Sequence, residues 1–237
     1  MQRVQDMQIK KLHCKSESYE DTKAIASILD NLHHLRDCAL LFGETASTGQ
    51  DHSMITLRSR SITRLVIVFY SDVNQFRLDM PNLRCLTFYS DISVGCFAEI
   101  FDSVVTHSPH LNQLCCFNSL DQFSFSKLSR FANLTAIKMN GIGKIQEPIS
   151  TIFTPKVTEL ELERVDFDVS GIGELLSALP NLHTLMLRGI SGLSSSQGWF
   201  SKSVRLLHLS EMSMGPLVLS THFPSLCEVI PYCSQLP

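Results

Sequence analysis

Three carboxylates set two residues apart, Glu159, Glu161 and Glu163, are the densest run of potentially reactive side chains in the sequence. At that spacing all three leave the same side of an extended strand, each about 6.6 Å from the next. Paired carboxylates do acid–base work when a cleft desolvates one and drives their pKa values apart. On an open strand they stay hydrated, so catalysis is the weakest reading of this stripe. Two others remain open. The carboxylates form a ladder neutralised by Lys138 and Arg188 on neighbouring strands, or they recognise and steer a basic partner segment.

Other candidate chemistry is thinner still. His33-His34 and Cys38 offer metal-ligating atoms, but two histidines at a helix end beside a buried thiol need no metal. Cys115-Cys116 cannot serve one ion from a strand, because neighbouring side chains face opposite ways. Gly141-Ile142-Gly143 and Gly171-Ile172-Gly173 are single glycine pairs, too little for a phosphate cradle. No Gly-x-Ser-x-Gly or His-Glu-x-x-His occurs. The sequence therefore predicts no enzyme, no catalytic residue, no metal and no cofactor. Arg58-Ser59-Arg60-Ser61 reads as a solvated loop end, with a basic phosphorylation-type segment as the alternative.

What positions these residues is a repeat. The pattern Leu-x-x-Leu-x-Leu is clearest in Leu182-Leu185-Leu187 and recurs as Leu35-Cys38-Leu40, Ile62-Leu65-Ile67, Leu83-Leu86-Phe88 and Leu111-Leu114-Cys116. It continues through Leu134-Ile137-Met139, Val157-Leu160-Leu162, Val204-Leu207-Leu209 and Leu226-Val229, with Val4-Met7-Ile9 taken as the first copy. Late anchors step by about 22 to 25 residues, inside the leucine-rich-repeat window. The second and third apolar positions point one way off a short strand, and stacking copies in parallel buries a continuous core. Return segments carry helical spacing at Ala24–Leu32, Phe97–Val105 and Ile172–Leu179. The predicted fold is α/β, a curved, right-handed solenoid of nine or ten units, with parallel strands inside and helices or irregular turns outside.

Pro-Asn-Leu-x-x-Leu in Met80–Leu86 and Leu179–Leu185, with looser copies in Ser108–Leu114 and Phe223–Val229, resembles the leucine-rich repeats of F-box-type proteins. It is similar also to the repeats of intracellular nucleotide-binding receptors. The first resemblance implies the substrate-binding repeats of a ubiquitin-ligase adaptor. Cullin-type ligase components would then dock through a segment upstream of Met1. The second implies a sensor or scaffold module.

Residues 1–237 are read as one repeat domain. Because the first copy starts at Val4, the chain is expected to be cut from a longer protein, with a divergent first repeat as the alternative. Gly43–Ser61, polar and rich in Ser, Thr and Gly, is expected to be an exposed loop, and Ser191–Gly198 a second one. Trp199 and Phe200 after it are expected to pack into the convex side. Pro231 marks an irregular last strand, and the tail after it a partial cap.

Apolar residues make up 44% and charged residues 18%, a balance that argues for a packed core over disorder. A net charge of −3 gives no electrostatic case for nucleic acid, and no apolar run approaches the length of a membrane-spanning helix. Eight cysteines without paired clusters, and no apolar leader, predict an intracellular, reduced setting.

The alternate strand positions then form the concave wall, the usual binding face of a solenoid. In it Val66, Val68, Tyr89, Cys115 and Phe117 make an apolar and aromatic patch. That patch is either a partner site or a surface covered by the Gly43–Ser61 loop or a preceding domain. Lys138, Glu159, Glu161, Glu163, Arg188 and His208 make the charged remainder. A protein partner is expected on this wall.

Overall fold

In the computed structural model, residues 9–43, 54–70, 76–90, 95–117, 125–144, 149–166, 171–190, 198–211 and 219–232 are described. They fall into two compact units, residues 1–123 and 124–237.

Unit one contains the parallel strands β1 (Lys11–Ser16), β2 (Asp37–Phe42), β4 (Arg64–Phe69), β6 (Cys85–Ser90) and β7 (Gln113–Phe117), hydrogen-bonded in that order. Across their ladders Leu12, Cys38, Leu65, Leu86 and Leu114 fall into one row, and Cys14, Leu40, Ile67, Phe88 and Cys116 into the next. From β2 onward both rows are buried. These are the second and third repeat positions, so each repeat supplies one rung of the core. Phe42, Phe69, Phe76, Phe88 and Phe101 extend it as a chain of stacked or tilted rings 5.0 to 6.5 Å apart.

The return segments differ in kind. Helix α1 (Tyr19–Asn31) starts where the Ser18 hydroxyl accepts the Asp21 N–H, and it buries Thr22, Ile25 and Leu29. Helix α2 (Gly95–His107) buries Ile100, Phe101 and Val104. Between them the returns are strands, β3 (Ile55–Arg58) and β5 (Phe76–Asp79), paired in parallel as a second, two-stranded sheet. This corrects the far end of the expected Gly43–Ser61 loop. Ile55 and Leu57 alternate with polar neighbours and are 7% and 0% exposed, a period of two that four residues display only weakly. Residues 44–53 of that loop lie outside the described set, as do 191–197 of the second loop and the tail after 232.

Unit two runs β8 (Ala136–Lys144), β9 (Glu159–Asp166), β10 (Thr184–Arg188), β11 (Leu206–Ser210) and β12 (Glu228–Tyr232), again parallel and in chain order. Its returns hold a short 3-10 helix (Phe125–Arg130) and helices α3 (Ile149–Ile152), α4 (Gly171–Ala178) and α5 (Leu219–His222). Trp199 is buried at 2% exposure, but Phe200 beside it is 49% exposed, so only half of that aromatic pair joins the core. Pro231, opposite Leu209, occupies the terminal strand in the order, where its missing N–H is tolerated. Each unit is thus a stack of leucine-rich repeats of α/β class.

The Pro-Asn-Leu motif has a mechanical explanation. Met80–Leu83 and Leu179–Leu182 are turns in which the fourth residue's N–H donates to the first residue's carbonyl, at 3.0 and 3.1 Å. Proline in the second place fixes the φ that such a turn needs. Asparagine in the third reaches back one repeat: Asn82 Nδ2 donates to Arg60 O at 2.7 Å, and Asn181 Nδ2 to Pro155 O at 2.8 Å. At two other turns a first-position serine closes the turn locally instead. Ser59 Oγ accepts from the N–H groups of Ser61 and Ile62, and Ser201 Oγ from those of Ser203 and Val204.

One expectation fails at the N-terminal end. The first described repeat is anchored at Ile9, with Leu12 and Cys14 facing inward, and not on Val4-Met7-Ile9. Cys14 holds the position of Leu40 and Cys116 in later repeats, and taking Ile9 as a third apolar position put the first copy out of step. Val4 and Met7 lie outside the described residues.

Candidate interaction surface

The side chains between the core rows face the other way. In unit one they align as Lys11–Asp37–Arg64–Cys85–Gln113, then His13–Ala39–Val66–Thr87–Cys115, then Lys15–Leu41–Val68–Tyr89–Phe117. The third row carries the site. Leu41, Val68 and Phe117 are half-buried and Tyr89 is 39% exposed, whereas the core residues just before them, Leu40, Ile67, Phe88 and Cys116, are all at 0%. Tyr89 and Phe117 stack face to face, with centroids 4.5 Å apart and planes 7° from parallel. The sequence therefore placed Val66, Val68, Tyr89 and Phe117 on one surface, and the register brings them together. Cys115 belongs to the same face but is buried at 8% exposure; small and set between larger neighbours, it is covered by them. Leu41 was missed, because Asp37–Phe42 is apolar on both sides and alternation gives no signal there.

Strand β1 edges this face with Lys11, His13 and Lys15, all exposed. Lys15 pairs with Glu17 at 2.5 Å, which raises the pKa of its ammonium. Arg64 grips both oxygens of Asp37 at 2.6 and 2.8 Å, and that hydrogen bonding holds the Asp37 carboxyl below the usual carboxylate range.

In unit two the corresponding rows are Ala136–Glu159–Thr184–Leu206–Glu228, then Lys138–Glu161–Met186–His208–Ile230, then Asn140–Glu163–Arg188–Ser210–Tyr232. The register places a cation beside two of the three carboxylates. Lys138 Nζ lies 2.6 Å from Glu161, and Arg188 lies 3.5 Å from Glu163 and 2.9 Å from Glu211. Glu159 faces Ala136 and Thr184 instead, so it carries the exposed charge. Two of the three carboxylates are thus paired with the expected cations, and Glu159 faces none across its ladders. His208 is half-buried between Met186 and Ile230, and Ser210 is buried, not outward-exposed.

The last row ends in a repeated backbone feature. The residue after each of four strand positions has positive φ: Gly141 at 73°, Arg164 at 55°, Gly189 at 57° and Glu211 at 54°. Two of the four lack the glycine that this conformation favours. Both join one ion network, in which Arg164 reaches Glu163 at 3.9 Å and Arg188 lies between Glu163 and Glu211.

The remaining candidates separate. Cys38 points into the core, where burial pushes its thiol up to about 12, while His33 and His34 are exposed. Among the described residues no group of three His, Cys, Asp or Glu could hold a metal ion. In the Arg58–Ser61 segment Ser59 and Ser61 are buried, and Ser61 Oγ donates to Leu32 O at 2.7 Å, so the serines serve the turn. Two cavities lie on the return side of unit one. One, of about 360 Å³, is lined by Arg77, Glu99, Asp102, Ser103, Thr106 and His107; the other, of about 350 Å³, lies beside the Arg58–Ser61 turn.

No family model matches the chain, and no curated protein matches it. Solved structures do. One is the crystal structure of an internalin (InlF) from Listeria monocytogenes, 12% identical, covering 88% of this chain and 71% of that one with a TM-score of 0.46. The repeat fold described above stands on this chain's own parallel ladders and turns.

Proposed function

We propose that this chain is a non-catalytic protein-recognition module that binds its partner on the outward strand face. The observation that carries the reading is the Leu41–Val68–Tyr89–Phe117 row, an apolar and aromatic strip held open beside a fully buried core. Exposed strips of this kind are partner sites, and aromatic side chains supply their anchors. In its finer form the module is the substrate-binding repeat region of an F-box-type ubiquitin-ligase adaptor. That form is supported by the resemblance of its Pro-Asn-Leu turns, and it has cullin-type components docking outside the repeats. An intracellular setting is supported by the free thiols among the described residues, at Cys14, Cys38, Cys85, Cys115, Cys116 and Cys227.

The test is affinity capture from cells with the wild-type chain and the Tyr89→Ala/Phe117→Ala double variant, each confirmed to melt alike. A protein lost with the variant, and binding the purified wild-type chain directly in calorimetry, supports recognition by this face. Co-recovery of cullin components with both chains supports the adaptor form. Identical captures by both chains sink the assignment of the face.

A further inference from the structure

The outward face of unit one is graded in chemistry, and the gradient specifies what fits it. At β1 the face is cationic. Lys11 and His13 are exposed, and the nearby carboxylates are gripped by other cations, Asp37 by Arg64 and Glu17 by Lys15. Lys11 also acts on Asp37, which lies beside it in the ladder, so among these described residues three cations stand against two carboxylates. Three and four strands further on, the face is aromatic. Tyr89 and Phe117 stack face to face there and, with Leu41 and Val68 beside them, make an apolar surface. The β1 end therefore favours a negatively charged group and the aromatic end an apolar one. A basic group would meet like charge at β1.

The spacing follows from sheet geometry. Neighbouring strands lie about 4.8 Å apart, so β1 is about 14 Å from β6 and about 19 Å from β7 across the strands, and the rows of Lys11 and His13 lie about 13 and about 7 Å along the strands from the Tyr89–Phe117 row. Together these offsets separate the two ends by about 16 to 23 Å, and an extended chain at about 3.3 Å per residue bridges that with about five to seven residues. We propose that this face binds an extended protein segment bearing Asp or Glu about five to seven residues from a large apolar or aromatic side chain, the acid over Lys11 and His13 and the anchor over the Tyr89–Phe117 stack. The inference rests on the recognition reading above and adds the partner's chemistry to it.

A phage-displayed random peptide library, selected on the full chain and counter-selected on Tyr89→Ala/Phe117→Ala, tests it. Enriched peptides are expected to share an acid and an apolar anchor at that separation. Synthetic copies should lose at least about thirtyfold in affinity on the double variant, as expected when two central aromatics are removed. Lys11→Glu/His13→Glu, two exposed changes that leave the core alone, should weaken the same peptides by about threefold to thirtyfold and shift selection toward Lys and Arg. Enriched peptides that depend on Tyr89 and Phe117 but are basic or uncharged would overturn the acidic specificity while leaving recognition by this face standing. No enrichment that depends on those two rings would overturn both.

Discussion

Leu160 and Glu161 are adjacent in β9 and face opposite ways, so a pair of substitutions there tests the whole register. Leu160 is 1% exposed and sits in its row between Ile137 and Leu185, themselves at 3% and 0%. Truncation to alanine removes buried methyl groups and leaves a cavity, at a cost of about 2–5 kcal/mol. For a chain of this size each kcal/mol moves the melting midpoint by about 2–4 °C, so Leu160→Ala should melt about 4–20 °C lower. Glu161 makes its 2.6 Å ion pair to Lys138 with both side chains partly in water, 29% and 38% exposed. Such a pair contributes about 0–1 kcal/mol, so Glu161→Ala should stay within about 4 °C of wild type.

Leu160→Asp sharpens the test through pH. Its carboxyl would enter an apolar row with no partner, and burial would raise its folded-state pKa above the unfolded value of about 3.9. The folded state then binds more protons than the unfolded state, so stability falls as pH rises through the unfolded value and levels off above the folded one. At neutral pH the added penalty approaches the whole of a typical folding free energy, about 5–15 kcal/mol, and the variant should be unfolded. Relative to wild type it should recover near pH 4. Thermal melts followed by circular dichroism at pH 4 and pH 7 measure all three variants. A Glu161→Ala midpoint below that of Leu160→Ala, or a Leu160→Asp that melts normally at pH 7, would refute the inward and outward assignment.

Two further outcomes are expected. The Cys38 thiol, moved by burial from 9.0 to about 12, stays protonated in the fold while unfolded chains ionise, so stability should decline as pH rises from about 9 through about 12. Thiol labelling at pH 8 should accordingly reach exposed Cys227 before Cys38 or Cys116; early labelling of Cys116 would contradict its complete burial. Arg164 holds φ of 55° in a position that Gly141 and Gly189 fill elsewhere, so Arg164→Gly should raise stability by up to about 1 kcal/mol and Gly189→Ala should lower it by about as much, measured by denaturant midpoints.

Much of the fold was legible because a repeat states its pattern many times. A single Leu-x-x-Leu-x-Leu is ambiguous; eight spaced copies from Leu35 to Val204 fix which residues share a row, and the ladders place those rows as expected. The same register puts Lys138 beside Glu161 and Arg188 beside Glu163, and both pairs form. Errors arose where the pattern was locally silent. Ile9 fits two overlapping copies, Val4-Met7-Ile9 and Ile9-Leu12-Cys14, and Ile55–Arg58 is too short to show its period; Leu41 follows from the Leu35-Cys38-Leu40 register but not from alternation, because its strand is apolar on both sides.

By itself, then, the sequence determined the periodic part of this protein: parallel strands, the buried rows, the side of each strand that faces outward, and the Pro-Asn turns that start them. These follow from backbone geometry acting over a few residues. The tertiary structure decided everything that depends on side chains from different repeats meeting. It turned two return segments into a second sheet and tied Asn82 and Asn181 to the repeat before each. It also closed the Tyr89–Phe117 stack, committed Asp37 to Arg64, and buried Cys115 while exposing Phe200. Such contacts depend on distances across 20 or more residues of chain, and local periodicity carries no information about them.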